Sequence, residues 1–174
     1  MYKLIESEKV FQNKKLTVFE DRILIQDKEK YYTHIELRNG VMIIAQIDSK
    51  LLLVKQYRYL LGKDTYELPG GGIKNNELPV EAAARELLEE TGYVSRCIEL
   101  VKEIYPLDGL SSQKIYLYKA SELEFVGKKL DDTEIGMQTF FYSIQELNTM
   151  LASKQICGAA SLSGILLYLY GGTN

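Results

Sequence analysis

Arg85 to Gly92 reads RELLEETG and gathers Glu86, Glu89 and Glu90 around a pair of leucines. On a helix turning about 100° per residue, Glu86 and Glu90 fall about 40° apart, with Glu89 about 60° to the other side. Like charges at this spacing cost roughly 0.2–0.5 kcal/mol per pair, which an ordinary solvated acidic face tolerates. The alternative is chemical. Hard divalent cations such as Mg²⁺ take carboxylate oxygens, and two glutamates one turn apart can reach the same ion. The repulsion then becomes affinity for a cation.

The glutamates do not stand alone. Gly71 is followed by five residues and Glu77, then by seven residues and Arg85; Glu86, Leu87, Glu89, Glu90, Gly92 and Tyr93 complete the spacing. This resembles the signature of the Nudix hydrolases, G-x5-E-x7-R-E-U-x-E-E-x-G-U, where U is a bulky aliphatic residue. Every glycine, glutamate and arginine position matches, and only Tyr93 departs, with an aromatic ring in the last aliphatic position.

The resemblance implies a Mg²⁺-dependent pyrophosphohydrolase, with Mn²⁺ as a possible substitute. Glu86 and Glu90 become metal ligands. In the relatives this chain looks most like, the residue before the box adds a backbone carbonyl, here that of Gly70. The glycine run Gly70–Gly72 suits this, because a backbone without side chains can fold close to a metal–phosphate cluster. Arg85 and Glu77 are expected to support the site, since an arginine fork can hold a loop carboxylate through paired hydrogen bonds. Gly71 and Gly92 are supporting glycines of the same box.

These residues need elements to position them. Pro79 suits the first turn of a helix and Gly92 its C-terminal cap, which predicts a helix over about 78–91. Ala83, Ala84, Leu87, Leu88 and Thr91 form its expected buried stripe, with Glu86 and Glu90 toward an edge and outside the core. Strands are expected at 16–27, with a break at Glu20–Arg22, and at 31–38, followed by the turn signal Asn39–Gly40. VMIIAQID (41–48) and LLLVKQYR (51–58) are near-continuous apolar runs that suggest strands covered on both faces. YELPGGG (66–72) reads as a break in regular structure. Further strands are expected at about 98–105, 114–119 and 139–142, and helices at about 143–152 and 159–170. The expected fold is α+β, an α/β/α sandwich with a mixed sheet. A small antiparallel β region comes first, with the division at 1–40 and 41–174.

Composition narrows the class. The 174 residues are 46% hydrophobic and 26% charged, ordinary for a globular protein. A net charge of −3 gives no broad basic surface for nucleic acid. Cys97 and Cys157 have no metal-ligand spacing and read as reduced packing thiols. The opening MYKLIESEKV lacks an apolar signal core, and GILLYLY is far short of the ~20 apolar residues that cross a bilayer. A cytoplasmic location without membrane association is the expectation.

Three further stretches resemble one branch of the family, the ADP-ribose pyrophosphatases and nucleoside-diphosphate-sugar hydrolases. VKQYRY (54–59) stands just before YELPGGG, YPLDGLSSQKIYLYKA (105–120) resembles the branch's loop and strand after the box, and the opening β segments resemble its small extra sheet. That sheet commonly makes a homodimer. The implied substrate is ADP-ribose or a similar nucleotide sugar, with GDP-mannose or a UDP-sugar as alternatives and a nucleotide-binding sensor without turnover as a different class. Arg58 becomes the candidate contact to phosphate or ribose. Tyr31, Tyr32 and His34 could stack on a base or simply pack. Gln113 stands near where the branch often has a glutamate, so it can bind substrate but cannot take a proton from water. The base then passes to Glu89, to Asp108 or to an acid of 131–134 (Asp131, Asp132 or Glu134), unless the substrate is not ADP-ribose.

Overall fold

Apolar and polar residues alternate along β2 (Leu16–Ile25) and β3 (Lys28–Leu37), which pair antiparallel in a computed structural model that describes residues 2–127 and 136–171. The left-handed residues Gln26 and Asp27 make their turn. The sequence suggests a break at Glu20–Arg22, yet β2 runs straight through it. Charges there pair across the ladder, with Arg22 bonded to Glu6 at 3.0 Å and to Glu29 at 3.3 Å, and Asp21 Oδ2 3.2 Å from His34 Nε2.

A strand not expected from the sequence, β1 (Tyr2–Gln12), pairs with β2. All its residues are exposed, so it carries no buried face for an apolar pattern to report. These strands form one compact unit, which takes the chain up to Asn39 together with Tyr105–Lys114. The later segment is fixed there by hydrogen bonds from Ile35 N to Leu110 O (2.9 Å) and from Tyr32 Oη to Gly109 O (2.8 Å).

The second unit comprises Gly40–Ile104 and the chain from Ile115 onward. Its strands are β4 (Gly40–Ile47), β5 (Lys50–Arg58), β6 (Lys63–Glu67), β7 (Gly70–Gly72), β8 (Tyr93–Ile104), β9 (Ile115–Phe125) and β10 (Gln138–Tyr142). Their order is β10-β5-β4-β9-β8, with β6 added to β5 and β7 to β4. Only β4 and β9 pair in parallel among the described strands, so the sheet is mixed. β4 and β5 pair only beside their hairpin, where Asp48 and Ser49 take positive φ.

Both faces of this sheet are covered. Val41, Ile43, Ala45 and Leu52 point into a cluster with Ala82, Ala83 and Leu87 of α1 (Pro79–Thr91). Ile44, Leu51 and Leu53 point the other way, to Leu147 and Met150 of α2 (Ile144–Ala152) and Ile165 of α3 (Ala159–Tyr170). The unbroken apolar runs are therefore two interleaved cores, one per face. This is the expected α+β arrangement, an α/β/α sandwich.

One fastening crosses from α3 to the strand that leads to the glycine run. Leu68 N donates to Ser161 Oγ at 3.1 Å, and the site is buried. Gly164 lies so close to Leu68 that an added Cβ would overlap its Cδ1. Ile43 N then donates to Pro69 O at 2.8 Å, so residues 68 and 69 are fixed before the chain enters β7.

Candidate active site

Helix α1 begins at Pro79 after Leu78, whose N–H donates to Glu81 Oε2 at 2.9 Å. It ends at Gly92, where φ is +80° and the N–H donates to Leu88 O at 2.9 Å. The buried stripe differs from the one the helical pattern predicts. Ala84 is exposed, whereas Glu86 (7% exposed) and Glu90 (4%) are buried with Ala82, Ala83, Leu87 and Thr91. The expectation that these glutamates lie outside the core is corrected here. Strand β7 is laid over them, and a helical pattern read alone does not contain that second layer.

The glycines make this contact possible. A Cβ on Gly71 would stand 2.5 Å from Glu86 Oε1 and 2.6 Å from its carboxyl carbon, distances that no side chain accommodates. Gly70 N donates to Glu90 Oε2 at 2.9 Å, and a Cβ there would overlap Val41 O. The stretch read as a break is thus a short strand, paired through Gly40–Gly72, Val41–Gly71 and Met42–Gly70.

Arg85 ties the loop, the helix and β7 together. Its Nε and Nη2 donate to Glu77 Oε1 (2.7 Å) and Oε2 (2.9 Å), Nη1 donates to Glu86 Oε1 (2.7 Å) and Glu89 Oε2 (2.9 Å), and Nη2 also donates to Gly72 O (3.1 Å). All five guanidinium N–H groups are thereby used. The Arg85 fork and the Lys74 amide hold the Glu77 carboxyl down to about 2, against the partial burial that opposes it. The Arg85 guanidinium is pushed up in turn, through its hydrogen bonds to Glu77, Glu86 and Glu89.

A cavity of about 320 Å³ opens beside this knot, lined by Gly70–Gly72, Glu86, Glu89, Glu90, Arg85 and Arg58 among others. Among the described residues, no three acidic, histidine or cysteine side chains converge as a ready metal cluster. Arg85 holds Glu86 and Glu89, and Gly70 N holds Glu90. The donors lining this one cavity are nonetheless hard oxygens, a set that fits Mg²⁺ or Mn²⁺. Glu86, Glu90 and the backbone of Gly70 are the groups that could hold such an ion.

Arg58 closes the arrangement from β5. Its Nε donates to Glu67 Oε1 at 2.8 Å and its Nη2 donates to Glu67 Oε2. Burial opposes ionisation of Glu67, but hydrogen bonds from Arg58, Thr65 and Gln56 outweigh it and hold the carboxyl below its usual range. Sequence reasoning missed Glu67, Thr65 and Gln56. The only local signal was a charged residue immediately before Leu68 and Pro69, within the stretch read as a break, which the structure shows to be the end of β6.

Asp108, Gln113, Tyr31, Tyr32 and His34 fall in the first unit. Asp108 lines a separate cavity of about 420 Å³ with Tyr32, His34, Tyr105 and Ser111. Gln113 Nε2 donates to Arg38 O at 2.6 Å. His34 stacks on Phe19, with ring centroids 5.2 Å apart, and Tyr31 is exposed. Asp131, Asp132 and Glu134 lie outside the described residues. Among the described residues, no helix is long and apolar enough to cross a membrane.

Residues 36–156 match the family model described as the NUDIX domain. The chain belongs to the Nudix family. An ADP-ribose pyrophosphatase of Bacillus subtilis (strain 168) is 26% identical over 94% of this chain and 90% of its own. A CMP-5'-(N-acetyl-N-hydroxy-3-aminopropyl)phosphonate hydrolase of Streptomyces rubellomurinus is 28% identical, over 92% of this chain and 78% of its own. A crystal structure described as an ADP compounds hydrolase has a TM-score of 0.86 over 99% of this chain and 96% of that one. At 20% identity that likeness is one of fold. This Nudix chain is a hydrolase by family and carries every charged residue of the family's box.

Proposed function

We propose that the protein hydrolyses the diphosphate linkage of ADP-ribose, or of a similar nucleoside diphosphate sugar, with Mg²⁺ as cofactor. The products are a nucleoside monophosphate and a sugar phosphate. One observation carries this reading: Glu86, Glu89 and Glu90 line one open cavity with the bare backbone of Gly70–Gly72 and the guanidinium of Arg58. The similarity to an ADP-ribose pyrophosphatase along nearly the whole chain supports the choice of substrate.

Glu86, Glu90 and the Gly70 carbonyl would hold the ion, whose contribution is charge neutralisation and Lewis acidity. The glycine backbone lets a diphosphate approach where any side chain would intrude. Arg58 donates to a phosphoryl oxygen. Glu89 is assigned the proton of the attacking water; Asp108, another acid expected for that role, lines the separate cavity of the first unit. Gln113, expected as a substrate contact, belongs to the first unit, where its amide nitrogen donates to Arg38 O. Arg85, Glu77, Gly71 and Gly92 hold the frame. We also place the protein in the cytoplasm as a homodimer; the exposed Leu4, Ile5, Val10 and Phe11 of β1 support the latter, and light scattering of the purified protein tests it.

The deciding experiment is product analysis with Mg²⁺ on ADP-ribose, GDP-mannose, UDP-glucose and a diadenosine polyphosphate, each with an EDTA control. AMP and ribose 5-phosphate formed fastest from ADP-ribose, and abolished by EDTA, is the expected result. Preference for another nucleotide sugar changes the substrate and keeps the chemistry. Tight nucleotide binding with no turnover of any member overturns the reading.

A further inference from the structure

The β5–β6 ladder carries a second arginine–carboxylate pair whose design differs from the Arg85 knot. Strand periodicity puts Gln56 and Arg58 on one face of β5, and Thr65 and Glu67 on the same face of β6, with Gln56 paired to Thr65. Glu67 is 6% exposed, while the Arg58 side chain is 45% exposed. The buried member is the better anchored. Thr65 Oγ1 donates to Glu67 Oε1 at 2.6 Å and Gln56 Nε2 to Oε2 at 3.3 Å, so the carboxylate is oriented by groups other than the arginine.

Charge alone gives no reason for this glutamate. A carboxylate beside a cavity that takes a diphosphate weakens the binding of that anion, and burying it costs desolvation. Geometry supplies the reason. Glu67 occupies the Nε–Nη2 side of the Arg58 fork. Nη1 and the second Nη2 hydrogen make no hydrogen bond among the described residues, and Arg58 itself lines the cavity. The guanidinium is thus gripped along one edge and keeps the adjacent edge, with its parallel N–H groups, for a ligand.

We infer that Glu67 is a positioning residue: seated by Thr65 and Gln56, it fixes Arg58 so that the arginine's outer edge presents paired donors to a phosphoryl oxygen of the substrate. The inference rests on the cavity being a diphosphate site, and it adds to that reading the group that makes Arg58 rigid enough to orient the anion. A guanidinium fixed in advance loses less freedom on binding, so the effect belongs mainly in KM.

The test is a double-mutant cycle on kcat/KM for ADP-ribose with Mg²⁺, run on Glu67→Gln, Arg58→Ala and the pair. Loss of Arg58 is expected to cost about 100-fold and Glu67→Gln about 10-fold, chiefly as raised KM. The double variant should be no worse than Arg58→Ala. Added guanidinium should restore activity to Arg58→Ala at least several-fold and leave the double variant unrescued, a difference that a purely structural Glu67 would not produce. Multiplying losses, or equal rescue with and without Glu67, overturns the inference. Should Glu67→Gln not fold, Thr65→Val takes its place: a raised KM beside Arg58 and no change in the Arg58→Ala background is the supporting result, and equal effects in both backgrounds overturn it. If the wild-type protein turns over no nucleotide sugar, the proposed function fails separately. The same cycle is then read from calorimetric affinity for inorganic pyrophosphate, where coupling supports the role of Glu67 and additivity overturns it.

Discussion

Arg85 and Arg58 line the same cavity, and each grips a glutamate along its Nε–Nη2 edge, yet they differ in what is left over. Arg85 spends its other donors on Glu86, Glu89 and Gly72 O. Arg58 spends none of its remaining donors among the described residues, and nearly half of its side chain is exposed. The side chain of Arg85 is 19% exposed. An arginine whose hydrogens are exhausted inside the protein can only shape the site. One with an open edge can still bind an anion. The difference is visible in hydrogen bonds and invisible in residue type.

The largest effect is expected at the carboxylates that Arg85 arranges. Glu86→Gln should lower kcat by about 10³-fold, since several kcal/mol of charge stabilisation depends on a bound ion; steady-state rates across a Mg²⁺ titration check it. Undiminished turnover with unchanged metal dependence would remove Glu86 from the ligand set.

Next comes the comparison itself. Arg85→Lys cannot reach all the acceptors and should lower the melting temperature by roughly 5 °C, while Arg58→Lys should leave it nearly unchanged. Paired thermal melts decide, and equal shifts would erase the distinction between the two arginines. Gly71→Ala should follow with an activity loss of about 10-fold or more and little change in overall fold, because its Cβ displaces the Glu86 carboxylate. Circular dichroism beside kinetics separates the two effects.

A smaller effect is expected in pH dependence. Glu77 has a folded pKa lowered from 4.5 to about 2, so its unfolded state binds the proton first and its stabilising contribution is present above pH 4.5. It is lost as pH falls from 4.5 towards 2. Acid titrations of denaturant stability should show that loss in the wild-type protein and a flatter profile in Glu77→Gln. At the bottom of the scale, Arg96→Ala should change stability by less than ~0.5 kcal/mol, since its pair with Glu124 is solvent-exposed.

The glutamate-bearing helix was legible in the sequence because its pattern is local: Arg85, Glu86, Glu89 and Glu90 lie within two turns, and Pro79 and Gly92 mark its ends. The two cores were legible in the apolar runs of β4 and β5. The burial of Glu86 and Glu90 was not, because a helical pattern reports one element and these side chains are covered by another. β7 was hidden by its own glycines, which ordinarily signal loops but here permit contact with a carboxylate. Glu67 was hidden because its partners are reached through strand pairing; no motif in the sequence joins it to Arg58. β1 carried no signal to read, being exposed throughout.

The buried hydrogen bond from Leu68 to Ser161 has a consequence in time. Its partners are 93 residues apart in the chain, and it fixes the backbone that enters the glycine strand. While the protein is being synthesised, α1 and its carboxylates leave the ribosome long before α3 does. The bond at Leu68 therefore closes only after Ser161 emerges, whereas Ile43 is already present to hold Pro69, so a nascent chain holds every box residue before this last fastening is made.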